Sequence, residues 1–430
     1  MLRNLGLMFK NKEIRNRILF TLAILFVYRL GAAIPVPGIN KEALLAGVES
    51  NNIINLMNLL GGGALDQFSV LALGVGPYIT ASIIIELLAM DVIPALADLK
   101  ENGQEGRKKM DRITRYLGLV LAFLQSYTMT YAFNARYGIL ENPSVSTYLF
   151  ISMVLTAGTS FLIWLGDQIS DKGIGNGISM IIFAGIVANL PFQFRQAYRT
   201  LVDTSAGTSS TFSGVVQFAM LIALYIVLIV MIIFMNEAVR KIPIQYTSNT
   251  RAIGGQNINY LPLKINSASV IPVIFASAVM VAPVTIMSFF KSTPVTETIT
   301  NILDFTKPLG LVIYVILVIL FTFFYTNLQV DPKELANNLN KQGTYILGIR
   351  PGSETVSYIH KVLNRITVLG ALWLALIAAL PYLLGMTTNI PSSITMGGTG
   401  IIIVVGVALE TVKDLESQLT QKTYHGYFRR

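Results

Sequence analysis

Long apolar stretches alternate with short polar connections along almost the whole chain. Apolar runs lie near Ile18–Ile34, Ser69–Ala89, Ile113–Phe133, Thr147–Leu165, Gly177–Leu190, Phe212–Phe234, Ser267–Phe289, Leu309–Thr326, Val362–Leu384 and Gly398–Val412. A helix crossing a bilayer needs about 20 mostly apolar residues, so the pattern predicts ten spans. The fifth and tenth runs are short, and the polar residues beside them can extend their helices. Within each run the apolar residues are continuous rather than alternating, which selects helices over a barrel.

Four segments depart from this pattern. Before the first span, Leu2, Leu5, Met8 and Phe9 are interleaved with Lys10, Lys12, Arg15 and Arg17, a basic amphipathic stretch suited to a membrane surface. Asn51 to Gly63 is apolar enough to enter a membrane yet too short to cross it. It reads either as an outer surface loop or as a movable re-entrant segment in a cavity, and its Gly61-Gly62-Gly63 triplet supplies a hinge. The connections 236–264 and 329–361 are long for a membrane protein and carry Arg240, Lys241, Arg251 and the Gly348-Ile349-Arg350-Pro351-Gly352 turn. Each can be solvated charge or a docking surface.

Composition sharpens the class. Only 13% of the 430 residues are charged and 53% are apolar, whereas a soluble domain carries about 25% charged residues. A water-facing surface for a soluble enzyme cannot be built from that supply. The net charge of +9 is unevenly placed. If the N-terminus is cytoplasmic, 25 of the 32 Lys and Arg residues fall in inner connections and only Arg29, Lys41, Arg136, Arg195, Arg199, Lys291 and Lys307 fall outside. That asymmetry sets both termini inside and needs no nucleic-acid partner to explain it. The opening residues imitate a secretory signal, but Arg29 and nine further spans argue against cleavage.

Candidate chemistry is sparse. The sequence has no cysteine and two histidines, His360 and His425, and it contains neither a phosphate-cradling GxxxxGK[ST] nor an HExxH motif. This excludes a thiolate nucleophile and a disulfide framework, and it predicts no enzyme activity, metal or cofactor. Proton-coupled transporters set Asp, Glu or His deep in spans. Here Arg29 and Glu86 border spans near their ends, where snorkelling to the interface accommodates them.

Several motifs then converge. Ser69-Val70-Leu71-Ala72-Leu73-Gly74-Val75-Gly76-Pro77-Tyr78-Ile79-Thr80-Ala81-Ser82-Ile83-Ile84-Ile85 resembles the second span of the SecY family, the central subunits of bacterial protein-conducting channels. Gly173-Ile174-Gly175-Asn176-Gly177-Ile178-Ser179, Leu261-Pro262-Leu263-Lys264, Val270-Ile271-Pro272-Val273-Ile274-Phe275-Ala276-Ser277 and Gly348 to Gly352 follow in that family's order and cover essentially the chain. Val75, Gly76 and Glu86 depart from the residues expected there, which are Ile, Met and Gln.

The resemblance implies an all-α polytopic membrane protein with ten transmembrane helices in two pseudo-symmetric five-helix halves around a central pore. Residues 1–190 form one half and 213–430 the other, hinged at the outer connection 191–212. An aliphatic ring of Val75, Ile79, Ile178, Ile182, Ile274 and Ile403 would pinch the pore. The re-entrant plug would span Ile53 to Leu65, with Ile53, Ile54, Leu56, Met57, Leu59, Leu60, Gly61, Gly62 and Gly63 in it. A lateral gate would open between spans two and three and spans seven and eight, with Thr80, Gln125 and Ser277 at the seam. Arg350, Arg251, Arg240 and Lys241 would dock partners. The implied partners are SecE and SecG, the SecA motor ATPase, the ribosome, signal peptides, preproteins and membrane lipids, without nucleotide bound by the chain itself. A ten-span solute transporter is the alternative, but no polar site at the midplane supports it; a poreless scaffold would leave the plug-like segment unexplained.

Overall fold

The computed structural model describes residues 11–40, 63–65, 67–89, 93–101, 103–202, 208–246, 259–287, 294–305, 307–387 and 392–427. The amphipathic opening up to Lys10, plug residues 53–62 and Arg251 lie outside the described residues. A helix occupies part or all of every predicted span: α1 (Lys12–Ala32), α2 (Gly76–Leu88), α4 (Gly103–Tyr137), α5 (Val145–Lys172), α6 (Gly177–Leu201), α7 (Thr208–Glu237), α8 (Ile271–Met287), α10 (Pro308–Gln329), α12 (Ser353–Thr387) and α13 (Ser392–Tyr427). Three shorter helices, α3 (Pro94–Glu101), α9 (Pro294–Ile302) and α11 (Pro332–Lys341), sit in connections. Among the described residues, five helices are long and apolar enough to cross a membrane by length and composition alone: α5, α6, the 212–237 part of α7, α10 and α12. The apolar α2 and α8 are shorter, at 13 and 17 residues.

The outside of the bundle is apolar. Val312, Ile316 and Leu320 make an exposed stripe at four-residue spacing on α10, and Leu369, Leu372 and Leu376 another on α12. Water would not tolerate such contiguous surface, but lipid does.

Packing divides the helices into two groups. In the first, α4 lies against α2 and α5, while α1 and α6 lie against α5 and each other; in the second, α12 lies against α7, α10 and α13, and α8 against α10. Two seams join the groups, one where α6 meets α7 and α13, the other where α2 meets α8.

Two predictions need correction. The run Ser69–Ala89 is helical only from Gly76, and residues 67–75 form turns. Gly74 takes φ +59°, Pro77 occupies the first turn of α2, and the Ser69 hydroxyl accepts a hydrogen bond from the Leu71 N–H at 3.2 Å. Non-helical backbone at membrane depth must be enclosed, and here it is. Leu71, Ala72, Leu73 and Val75 are buried, and Thr159 on α5 donates to the Gly74 carbonyl at 3.3 Å. Gly158, one residue earlier, permits the approach, since a Cβ there would stand 2.0 Å from the Val70 carbonyl oxygen.

The second correction concerns the two long basic connections, which are not independent loops. β1 (Val239–Tyr246) pairs antiparallel with β2 (Asn259–Lys264) on one side and with β3 (Thr344–Ile346) on the other. Ile242, Ile244, Leu263, Ala336, Leu339, Ile346, Ile359 and Leu363 close a small core between this sheet, α11 and α12. Alternation along β1, with Ile242 and Ile244 buried and Lys241 and Pro243 exposed, was the available signal.

Candidate functional site

The six proposed ring residues come from four helices and one turn. Val75 caps α2 and Ile79 follows in its first turn; Ile178 and Ile182 occupy the first two turns of α6; Ile274 lies in α8 and Ile403 in α13. Val75, Ile182, Ile274 and Ile403 are buried, and Ile79 and Ile178 pack half-buried against the same apolar cluster. The cluster therefore draws on both helix groups and bridges them.

Thr80 and Ser277 stand on α2 and α8, the pair that forms one seam. Each hydroxyl donates back to its own helix, Thr80 to the Gly76 carbonyl at 3.2 Å and Ser277 to the Val273 carbonyl at 2.8 Å. Gln125 is half-buried on α4. No hydrogen bond joins these three to one another, and the two hydroxyls are satisfied within their own helices. Glu86 corrects the snorkelling expectation. Its Oε1 accepts a hydrogen bond from Ser82 at 3.2 Å, and its Oε2 is buried.

Of the expected plug, Gly63 is described. It takes φ +79°, and a Cβ there would lie 2.5 Å from Oδ1 of Asn189 on α6. Ala64 and Leu65 follow it into buried positions.

The described docking candidates, Arg240, Lys241 and Arg350, are exposed. Arg240 and Lys241 lie on β1. Arg350 sits in a turn bounded by Gly348 (φ +80°) and Gly352 (φ +109°). Its carbonyl accepts a hydrogen bond from Thr355 at 2.9 Å, and Ile349 packs against the sheet core, so the backbone is pinned while the guanidinium projects.

Residues not anticipated from sequence gather midway along α13, beside the start of α6 and the end of α7. Asp414 Oδ2 accepts the Gly175 N–H at 3.2 Å, and Lys413 Nζ bonds Glu237 Oε1 at 2.9 Å and the Asn236 carbonyl at 3.2 Å. Thr411 Oγ1, which donates to the Val407 carbonyl of its own helix at 2.7 Å, lies in contact with Met180 Sδ at 3.5 Å. Among the described residues no cluster of His, Asp and Glu could hold a metal.

A family model described as SecY matches residues 69–412. The chain is 49% identical over 421 residues to the protein translocase subunit SecY of Bacillus subtilis, covering 97% of each. It is 46% identical over 423 residues to that of Staphylococcus carnosus, again covering 97% of each. A solved protein-conducting channel superposes with TM-score 0.64 at 18% identity, covering 94% of this chain and 92% of that one. The canine Sec61 of a ribosome–channel complex from the endoplasmic reticulum gives 0.57 at 16% identity, with 94% and 92% covered. The match to the family model over most of the chain, with relatives nearly half identical along its length, establishes that the chain belongs to the SecY family.

Proposed function

We infer that the chain is the channel-forming subunit of a bacterial protein translocase. It conducts unfolded secretory polypeptides across the cytoplasmic membrane and releases signal and transmembrane segments sideways into lipid. The observation that carries this reading is that Val75, Ile79, Ile178, Ile182, Ile274 and Ile403, drawn from both helix groups, all belong to or pack against one continuous apolar core. An aliphatic constriction dewets, so it stops ions without a charged gate. It makes no directional bond, so it yields to a polypeptide of any sequence.

The seam between α2 and α8 supports a lateral exit, with Thr80 and Ser277 on its two sides. Partitioning then sorts substrates. Ten leucine-like residues favour lipid by roughly 3–6 kcal/mol, while one central Asp or Arg opposes insertion by about 2.5–3.5 kcal/mol. In this reading residues 53–65 plug the pore, the basic face and both termini are cytoplasmic, and the halves 1–190 and 213–430 turn about 191–212. Energy comes from a motor ATPase such as SecA or from a ribosome docked on Arg350, Arg240, Lys241 and Arg251, with SecE and SecG as membrane partners. Nucleotide is bound by the motor, not by this chain. The relatives are translocase subunits, which gives the solute-transporter alternative no support.

The test is reconstitution of the purified chain with SecE, SecG and SecA in vesicles. ATP should drive a preprotein into a protease-protected state. In a Thr80→Cys/Ser277→Cys variant a short cross-link should stop transport and its reduction restore it. Vesicles that never protect the preprotein would sink the channel assignment; transport through a cross-linked seam would sink the lateral gate.

A further inference from the structure

The turn 173–176 enters α6 with several backbone N–H groups that no helix can satisfy. The Gly177 N–H finds Ser170 Oγ at 2.9 Å and the Ser179 N–H finds Asn176 Oδ1 at 3.2 Å. The Gly175 N–H instead reaches across to Asp414 Oδ2 at 3.2 Å. Gly175 takes φ +66°, which suits glycine, and a Cβ there would stand 3.4 Å from Thr411 Oγ1. The carboxylate thus lies at the positive end of span five. One residue earlier, Lys413 meets the opposite pole. Its ammonium sits on the Asn236 carbonyl and the Glu237 carboxylate at the closing turn of α7, the negative end of span six. Both contacts have the sign that the helix dipoles favour.

Apolar packing lies beside these contacts. Ile14 of α1, Ile174 of the turn and Leu415 of α13 form a separate buried cluster, with Ile18 and Leu419 against it. Thr411 adds its contact to Met180, one turn into α6. Three positions on one turn of α13 therefore grip the basic-face ends of two spans that belong to different helix groups. Those spans are joined covalently only at their other ends, through residues 202–208.

We propose that Thr411, Lys413 and Asp414 are positioning residues that clamp the basic-face ends of spans five and six together throughout translocation. The pivot of the channel is then held at both ends, covalently outside and by this clamp inside, and opening is directed to the α2–α8 seam opposite. This rests on the reading of the chain as a channel whose halves part at that seam.

The cysteine-free chain permits a direct test. A Met180→Cys/Thr411→Cys variant is oxidised in vesicles with SecE, SecG and SecA, beside the Thr80→Cys/Ser277→Cys variant. Locking 180 to 411 should leave ATP-driven preprotein protection undiminished, because the clamp stays closed during transport. Loss of transport on oxidation, recovered on reduction, would overturn the clamp. Transport through a locked 80–277 pair would overturn the seam and leave the clamp to be judged by its own lock. In a second arm, Lys413→Met/Asp414→Asn should raise resting ion leak and lower the yield of the closed 80–277 cross-link. Lys413→Arg/Asp414→Glu should restore both, as should the 180–411 disulfide in the Met/Asn background. Parental leak and cross-linking in a correctly inserted Met/Asn variant would also overturn the proposal. Should that variant fail to insert, the 180–411 lock on the parental charges still decides.

Discussion

Replacing Gly158 by alanine adds one methyl group where the structure has room for none. The new Cβ would lie 2.0 Å from the Val70 carbonyl oxygen and 2.9 Å from its carbon. Ordinary contact begins near 3.5 Å, so α5 and the 67–75 turn must part by more than about 1 Å. The obstacle is backbone and cannot rotate aside. Inserting a methyl into a packed core costs about 1–3 kcal/mol, against which alanine returns about 0.5–1 kcal/mol of helix propensity. The expected net is a destabilisation of up to about 2.5 kcal/mol, near the upper end because the obstacle is backbone. The displaced turn carries Val75, so the same variant should also widen the aliphatic ring and raise resting ion leak. Gly76→Ala is the control. Nothing lies within 4 Å of a Cβ there, its φ is not positive, and it opens α2. It should be neutral or slightly stabilising. Denaturant melts of the purified proteins and leak from vesicles under a salt gradient read out the pair. A Gly158→Ala protein as stable and as ion-tight as Gly76→Ala would refute the enclosure of the turn by α5.

Changing Ile79, Ile182 and Ile274 together to serine should wet the constriction and raise ion conductance at rest; parental tightness would break the ring assignment. Arg350→Glu should preserve insertion and the closed pore but abolish motor-driven transport, since repulsion replaces attraction on an exposed docking turn; Arg350→Lys should be intermediate, lacking the guanidinium fork, and normal transport by the Glu variant would reduce Arg350 to a solvated residue. Reporters fused after Gly106 and Gln342 should face the cytoplasm and those after Asn142 and Thr298 the outside; an outward signal at Gln342 would invert spans eight and nine.

The spans were legible in the sequence because lipid imposes one requirement everywhere, an unbroken apolar run long enough to cross. What escaped was a local turn and several long-range pairings. Ser69–Val75 is as apolar as a helix, and its turns follow from Gly74, Pro77 and the side chain of Ser69 rather than from hydropathy. The sheet escaped because its strands lie in two connections, separated by α8 to α11, and pairing across such distances leaves little trace in composition. The proposed ring positions rest on the family resemblance alone, since an isoleucine in a span looks like any other packed residue. Asp414 and Lys413 were invisible for the converse reason. They are ordinary charges in a polar tail until the fold brings Gly175 and Asn236 to them.

The Arg350 turn stands at the foot of α12, which runs without interruption from Ser353 to Thr387, with Pro381 only near its far end. At 1.5 Å per residue those 35 residues make a rod about 52 Å long. Its lower part is welded to the sheet through Ile359 and Leu363, and its upper part is packed against α10 and α13. Such a rod is a lever arm. If a partner docks on the turn as proposed, a small tilt of this rod would carry the push to the opposite surface without any side chain entering the pore. One continuous helix thus ties the proposed docking turn to the far end of the bundle.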